Sequence, residues 1–242
     1  MRKRFGLIGK NIAYSRSPEL FEKFFKELNV NAQYEIFDIP DHTYIKRILE
    51  LPGLHGVNVT IPYKEAVSAY LDEISPEAKQ IGAVNTVKVK DGKKYGYNTD
   101  VFGFEKSLLE NLKPFHTKAL ILGNGATAKT VRYVLGKLNM DALTVSRNKT
   151  TGTITYDEVT PEVLKEYLLI VNTTPLGNLN YPGQKPDLAY KALTPEHLLF
   201  DLNYNPPLTP FLQAGLKAGA DIKNGWSMLE LQARKALEIW LG

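Results

Sequence analysis

The chain has 242 residues, enough for one large or two modest domains, with 43% hydrophobic and 23% charged residues and a formal net charge of +4. It has no cysteine, which excludes disulfides and thiolate metal sites and suits a reducing, cytoplasmic setting. Its basic residues are scattered rather than grouped as in a nucleic-acid patch, no apolar run approaches the ~18 residues of a membrane span, and the basic start Met1-Arg2-Lys3-Arg4 has no apolar stretch of a signal peptide behind it.

In chain order, residues 5–8 read as a short buried strand ending at Gly9. Ser17-Pro18 reads as an N-cap followed by proline at the first helical position. Leu20, Phe21, Phe24, Phe25 and Leu28 follow at helical spacing, and Asn29 is the stop. Residues 34–39 alternate like a strand, 43–51 predict a helix stopped by Pro52-Gly53, and 56–60 predict a strand broken by Pro62. The runs 84–89 and 94–98 flank Asp91-Gly92, a strong hairpin signal. Thr99 then caps a helix carrying Val101, Phe104, Leu108 and Leu112.

From residue 119 onward strand and helix alternate. Strands are predicted at 119–122, 143–146, 168–172, 198–202 and 221–223, and helices at 126–138, 161–166, 209–218 and 228–241. Short apolar strands alternating with helices imply a parallel sheet wrapped by helices. The fold class is therefore α/β in both halves, with the boundary in the helix at 100–112. The expected organisation is an N-terminal α/β domain at 1–101, a Rossmann-type parallel-sheet domain at 102–225, and a C-terminal helix at 226–242.

Gly123-Asn124-Gly125-Ala126-Thr127-Ala128 follows an apolar strand and opens a helix. That is the setting of a dinucleotide fingerprint: Gly123 allows the tight turn, Gly125 admits the pyrophosphate, and Ala128 keeps helix and sheet close. The helix N-terminus offers free N–H groups to phosphate. The second strand ends in Ser146-Arg147-Asn148-Lys149, where a NAD site would carry an acid. Arginine suits a ribose 2′-phosphate, so NADP is favoured.

The first half carries polar residues that break local rules. Ser15 and Ser17 place two hydroxyls at a helix N-terminus, a natural carboxylate site, although for Ser17 alone an ordinary serine cap is the better account. Asn58 and Thr60 share one face of an otherwise apolar strand, and Lys64 follows at a helix start, where the dipole disfavours a cation. Rule-breaking positions are where function is expected. Asn85-Thr86 and Asn98-Thr99-Asp100 bring amide, hydroxyl and carboxylate to strand ends, and Gln232 stands in the last helix. The four histidines, His42, His55, His116 and His197, lack metal-like or triad-like spacing, and no metal site is expected.

Together S-R-S-P at 15–18, N-V-T-I-P-Y-K at 58–64, G-A-V-N-T at 82–86, N-T-D at 98–100, G-N-G-A-T-A at 123–128, N-T-T-P-L-G at 172–177, D-L-N-Y-N-P at 201–206 and M-L-E-L-Q at 228–232 resemble the shikimate dehydrogenases, of the shikimate/quinate dehydrogenase family. The likeness runs from residue 7 to the end of the chain. It implies reduction of 3-dehydroshikimate to shikimate with NADPH, on the route to aromatic amino acids. The implied architecture is a substrate domain, an NADP domain with a cleft between them, and a last helix packing back on the substrate domain. Ser15 and Ser17 would hold the substrate carboxylate, with Tyr204 also reaching it. Asn58, Thr60, Asn85 and Gln232 would hold its hydroxyls, and Lys64 and Asp100 would be the catalytic pair. Gly123, Asn124, Gly125, Ala126, Thr127, Ser146, Arg147, Lys149, Thr173 and Gly225 would line the cofactor. The implied assembly is a monomer or homodimer with a small-molecule substrate and neither nucleic acid nor membrane as partner.

Two departures from the family pattern stand out. Ser146 replaces an asparagine of N-R-T, and no second arginine follows Arg147, so that Lys149 is the candidate for the missing charge. The chain also ends at Gly242, soon after Gln232. Two other readings are a NAD-using quinate/shikimate dehydrogenase, which Arg147 argues against, and a non-catalytic nucleotide sensor, which predicts decay at Lys64 or Asp100.

Overall fold

The computed structural model of the protein describes residues 2–242. The chain divides into two compact units. One runs to Gly103 and takes up Glu230–Gly242, and the other is Phe104–Leu229.

The first unit opens with β1 (Lys3–Gly9), α1 (Ser17–Glu27) and β2 (Ala32–Asp38). Arg16 is the N-cap of α1, so Ser17 is its first residue and Pro18 its second, one place later than the sequence predicts. Proline at either position removes an N–H that has no intrahelical partner. A 3-10 turn (His42–Tyr44) leads into the short α2 (Ile45–Leu49), then β3 (Leu54–Val59). A second 3-10 turn (Ala66–Tyr70), β4 (Glu73–Ile74) and α3 (Pro76–Ile81) follow. Helix α3 lies outside the predicted elements: Ala78 and Ile81 alone are buried along it, too few to read as an apolar face. Its caps are nevertheless written locally, because Ser75 accepts the amide of Ala78 and Gly82 closes the helix at φ 74°. The hairpin β5 (Thr86–Lys90) and β6 (Lys93–Tyr97) turns at Asp91 (φ 51°) and Gly92 (φ 77°). Two positive φ values match the right-handed twist of the paired strands.

The strand order is β2-β1-β3-β5-β6-β4. Strands β2, β1 and β3 run parallel, while β5 is antiparallel to both β3 and β6. This mixed sheet seats one core on Ile8, Ile45, Leu49, Val57, Val59, Val67, Val84 and Val87. Trp240 closes its other side, stacked on Phe5 at 4.8 Å and donating from Nε1 to the carbonyl of Val87 at 2.9 Å. Gly56 makes room for it: a Cβ there would lie 2.3 Å from Trp240 Nε1.

The chain passes between the units in two helices, α4 (Asp100–Leu109) and, at the end, α8 (Trp226–Leu241). Between them lie β7 (Lys118–Leu122), α5 (Ala126–Lys137), β8 (Asp141–Val145), β9 (Thr153–Ile154), α6 (Pro161–Glu166), β10 (Leu169–Asn172), β11 (Leu198–Asp201), α7 (Pro210–Lys217) and β12 (Asp221–Lys223). The two-residue β9 is too short for an apolar pattern and lies outside the predicted strands.

All six strands of this sheet are parallel, in the order β12-β11-β10-β7-β8-β9. Numbered from β7, that is the 6-5-4-1-2-3 order of a doubly wound dinucleotide fold, with its switch point between β7 and β10. Leu120, Ile121, Leu122, Leu169, Ile170, Val171, Leu198, Leu199 and Phe200 are fully buried. Central parallel strands are covered on both faces, which explains why they read as unbroken apolar runs.

Candidate active site

In the first unit the loop after β3 carries Lys64, and the first turn of α4 carries Asp100. Val84 donates its amide to the carbonyl of Lys64 at 2.8 Å, which fixes the lysine backbone against the start of the hairpin. Lys64 Nζ donates to Asp100 Oδ2 at 2.6 Å, and both residues are buried. The turn into α4 places this acid at a helix N-terminus, where the dipole favours it. Lys64 is followed by a 3-10 turn rather than by the α-helix the sequence suggests.

Asn85 is the hub of the surrounding network. Its Nδ2 donates to Asp100 Oδ1 at 2.9 Å and to Thr99 Oγ1 at 3.1 Å, and lies 3.4 Å from Gln232 Oε1. Its Oδ1 accepts the Thr99 amide at 2.7 Å and the Thr86 hydroxyl at 3.1 Å. Both carboxylate oxygens of Asp100 therefore face donors. The network extends to Asn58, whose Nδ2 donates to Thr86 Oγ1 at 3.1 Å and whose Oδ1 accepts the Tyr34 hydroxyl at 2.8 Å. Buried polar groups joined in this way hold one another in register, and each loss strands the rest.

Of the residues predicted for the substrate, the fold brings Lys64, Asp100, Asn85, Gln232 and Asn58 into this one cluster. Ser15 and Ser17 form a separate pair at the start of α1, with their Oγ atoms 3.2 Å apart and the Ser17 amide donating to Ser15 Oγ. Thr60 lies just past the end of β3, its amide donating to Ile8 O at 2.9 Å. Tyr204 belongs to the other unit, where its ring stands edge-on to Trp226 at 6.1 Å. Tyr34, Thr86 and Thr99 complete the cluster and are not among the residues expected to bind substrate. Thr86 and Thr99 sit inside the amide–hydroxyl runs already noted. Tyr34 carries no local signal, being one more aromatic in an alternating strand.

The second unit builds its candidate nucleotide edge at the C-terminal ends of β7, β8 and β10. Gly123 has φ 107°, and a Cβ there would lie 2.7 Å from Thr173 Oγ1. Thr173 in turn donates its amide and hydroxyl to Leu122 O at 2.9 and 2.7 Å, closing the switch point from the β10 side. Gly125 caps α5 in extended conformation with no side-chain cap, and a Cβ there would meet open space. Asn124 and Gly125 are exposed, and Ala126 and Thr127 are half-buried in the first turn. The first amides of a twelve-residue helix thus open without a side-chain acceptor at the cap, which fits a phosphate group.

At the end of β8, Ser146 donates its amide to Ile154 O at 2.8 Å, and no acid follows. Arg147 is exposed and pairs with no carboxylate among the described residues. Lys149 is engaged, its Nζ lying 2.5 Å from Glu158 Oε1. Gly225 has a packing reason as well: a Cβ would lie 2.2 Å from Leu202 O. These residues fit a phosphorylated dinucleotide.

Behind the same edge lies a buried carboxylate with no predicted role. Asp201 Oδ1 accepts from Asn172 Nδ2 at 3.0 Å, from the Asn203 amide at 3.0 Å and from Asn203 Nδ2 at 2.9 Å. Oδ2 accepts the Thr209 hydroxyl at 2.6 Å. Asn172 Oδ1 holds the amide and hydroxyl of Thr174, and Asn203 Nδ2 also reaches the carbonyls of Thr174 and Leu176. Burial pushes the Asp201 carboxyl up to about 6 against the pull of these donors. Its signal is in the sequence, in the flanking N-T-T-P-L-G and D-L-N-Y-N-P segments, but only the fold shows that they share an anion.

Each histidine meets backbone or hydroxyl partners: His42 with the Tyr70 hydroxyl, His55 with Gly53 O, His116 with Glu196 O and His197 with Leu164 O. No metal-ligating cluster of acids and histidines occurs among the described residues.

A Rossmann sheet with an open glycine turn, together with a buried lysine–aspartate pair among amides, defines the class of dinucleotide-dependent oxidoreductases of two-domain α/β architecture. Comparison with known proteins narrows the class. Residues 7–87 match the family described as "Shikimate dehydrogenase substrate binding domain". The chain is 40% identical over 247 residues to a shikimate dehydrogenase (NADP(+)) of Clostridium botulinum strain 657, covering 97% of this chain and 95% of that protein. Among solved structures, shikimate dehydrogenase 1 of Peptoclostridium difficile superposes with a TM-score of 0.88 at 36% identity, covering 99% of this chain and 91% of that one. Shikimate 5-dehydrogenase of Thermus thermophilus, solved with NADP(H) and shikimate, has a TM-score of 0.88 at 33% identity, over 98% and 93% of the two chains. The chain belongs to the shikimate dehydrogenase family.

Proposed function

We propose that this protein is an NADP-dependent shikimate dehydrogenase that reduces 3-dehydroshikimate to shikimate on the route to aromatic amino acids. The family membership supports the reaction. The observation that carries the chemistry is the buried Lys64 Nζ–Asp100 Oδ2 contact of 2.6 Å, set among Asn85 and Gln232. NADPH, when bound, supplies hydride to the ketone carbon. The chain supplies the rest.

As the ketone becomes an alcohol, negative charge develops on its oxygen. An ammonium at Lys64 Nζ stabilises that charge and gives up the proton the oxygen needs. Asp100 orients Nζ, and Asn85 holds the second carboxylate oxygen so that the aspartate cannot turn away. In the reverse direction the amine accepts the proton. Ser15 and Ser17 offer hydroxyls to the substrate carboxylate, with Tyr204 as a further candidate. Asn58, Thr60, Asn85 and Gln232 offer amide and hydroxyl groups to its alcohols.

Gly123, Asn124, Gly125, Ala126 and Thr127 would hold the pyrophosphate of NADP. Ser146 and Arg147 would meet its ribose phosphate, and Thr173 and Gly225 would line the remaining edge. A chain without cysteine suits the reducing cytoplasm as its place of action. No helix among the described residues is long and apolar enough to cross a membrane.

A spectrophotometric assay of shikimate oxidation with NADP and NAD side by side tests this reading. Turnover is expected with NADP and much less with NAD. Preference for NAD and quinate overturns it, and so does binding of NADPH without turnover of dehydroshikimate.

A further inference from the structure

The loop that leaves β8 carries two cations of unlike status. Arg147 is exposed and free of carboxylates among the described residues. Lys149 Nζ lies 2.5 Å from Glu158 Oε1. Glu158 is not a wandering surface acid. Its other oxygen, Oε2, accepts the Thr155 amide at 2.8 Å and the Thr155 hydroxyl at 3.1 Å. The Thr155–Glu158 pair forms a capping box around the 3-10 turn Tyr156–Glu158. That turn follows β9, which pairs in parallel with the end of β8. The carboxylate is therefore built into the scaffold that carries the loop, and the lysine has come to it. The Lys149 ammonium and the Thr155 donors hold the Glu158 carboxyl down at about 2, so it is an anion throughout the neutral range.

Resting on the NADP reading above, we propose that Glu158 is a specificity-determining residue. Its fixed carboxylate occupies Lys149, leaves Arg147 as the available cation of this loop for the ribose 2′-phosphate, and so reduces the preference for NADP over NAD. A phosphate that recruits Lys149 must break the pair and leave Glu158 unpaired beside a second anion. Arginine alone still favours the phosphate through its bidentate fork, so the preference is lowered rather than reversed. The same geometry accounts for why a lysine two residues past Arg147 does not replace a second arginine.

The test is Glu158→Gln, which keeps a side chain able to fill the capping box while removing the charge. NADP+ and NAD+ are titrated against the protein by calorimetry, without substrate. Affinity for NADP+ is expected to rise about fivefold with NAD+ unchanged, the scale of one exposed charge contact. The salt dependence of NADP+ binding should steepen as a second cation joins the phosphate. Lys149→Gln in the wild-type background should change NADP+ binding by less than about twofold, because the pair already occupies that charge. In the Glu158→Gln background the same substitution should erase the gain.

An unchanged NADP+/NAD+ affinity ratio in Glu158→Gln overturns the proposal while leaving the cofactor reading intact. A large loss of NADP+ affinity in Lys149→Gln alone does the same. A wild-type protein that binds NAD+ but not NADP+, or neither, overturns the cofactor reading and this proposal with it.

Discussion

The two units solve opposite problems with charge. In the first, Lys64 and Asp100 are buried and the neighbouring amide of Asn85 is committed to holding them. In the second, the proposed nucleotide edge is mostly backbone and open space, with one exposed arginine. A proton donor must be aimed within a few tenths of an ångström, so its surroundings are packed and mutually bonded. A phosphate carries its own strong field and many acceptor oxygens, so a helix end and a cation on a loop suffice. Asp201 is the exception in the second unit, a buried anion that ties the loops after β10 and β11 together without standing among the predicted cofactor residues.

The sharpest way to break the contrast is Lys64→Ala. Loss of a general acid is expected to cut kcat by about a thousandfold, some 4 kcal/mol of barrier. NADP+ affinity should stay within about twofold, since the nucleotide edge is built in the other unit. Steady-state kinetics and a NADP+ titration on the same preparation check both halves. A kcat within tenfold of wild type removes Lys64 from the chemistry.

Asp201 gives the next effect, on stability. Its carboxyl is pushed up to about 6 in the folded protein from an ordinary value near 3.8. The folded state holds the proton more tightly than the unfolded state does. The stabilisation is therefore fully present below about pH 4 and is lost as pH rises through about 6, the reverse of a salt-bridged aspartate. The difference between the two values corresponds to about 3 kcal/mol. Urea unfolding between pH 4 and 7 should show a slope of that sign in the wild type that flattens in Asp201→Asn. Identical slopes in the two proteins would show that the burial of Asp201 has no such consequence.

The smallest effect sharpens the comparison at the exposed end. Arg147→Gln should weaken NADP+ about tenfold and leave NAD+ unchanged, with kcat on shikimate at saturating cofactor close to wild type. A drop in kcat at saturation instead would mean that the loop bears on the chemistry itself.

Much of this was legible in the chain. The central strands β7, β10 and β11 show as apolar runs, because central parallel strands are buried on both faces. The hairpin at Asp91-Gly92 shows because only certain residues accept two successive positive φ values. The glycine turn shows because backbone clearance, not side-chain chemistry, selects its residues. Three short elements were not legible: β4 and β9 span two residues each, too few to show alternation, and α3 carries too few apolar residues to show a periodic face.

Residue types and their local spacing determined the α/β class, the order of the longer elements, the glycine turn and most of the polar residues of the candidate site. Only the tertiary structure decided their partnerships. Asn85 and Gln232 are 147 positions apart, yet approach within 3.4 Å. Tyr34 on β2 meets Asn58 on β3 across the intervening β1, and Asp201 gathers Asn172, Asn203 and Thr209. Lys149 reads as a free cation along the chain and is found on Glu158, nine positions on, because β9 folds the intervening loop back beside β8. A hydrogen bond or ion pair depends on distance and direction between groups brought together by packing, and neither is written in the residue types themselves.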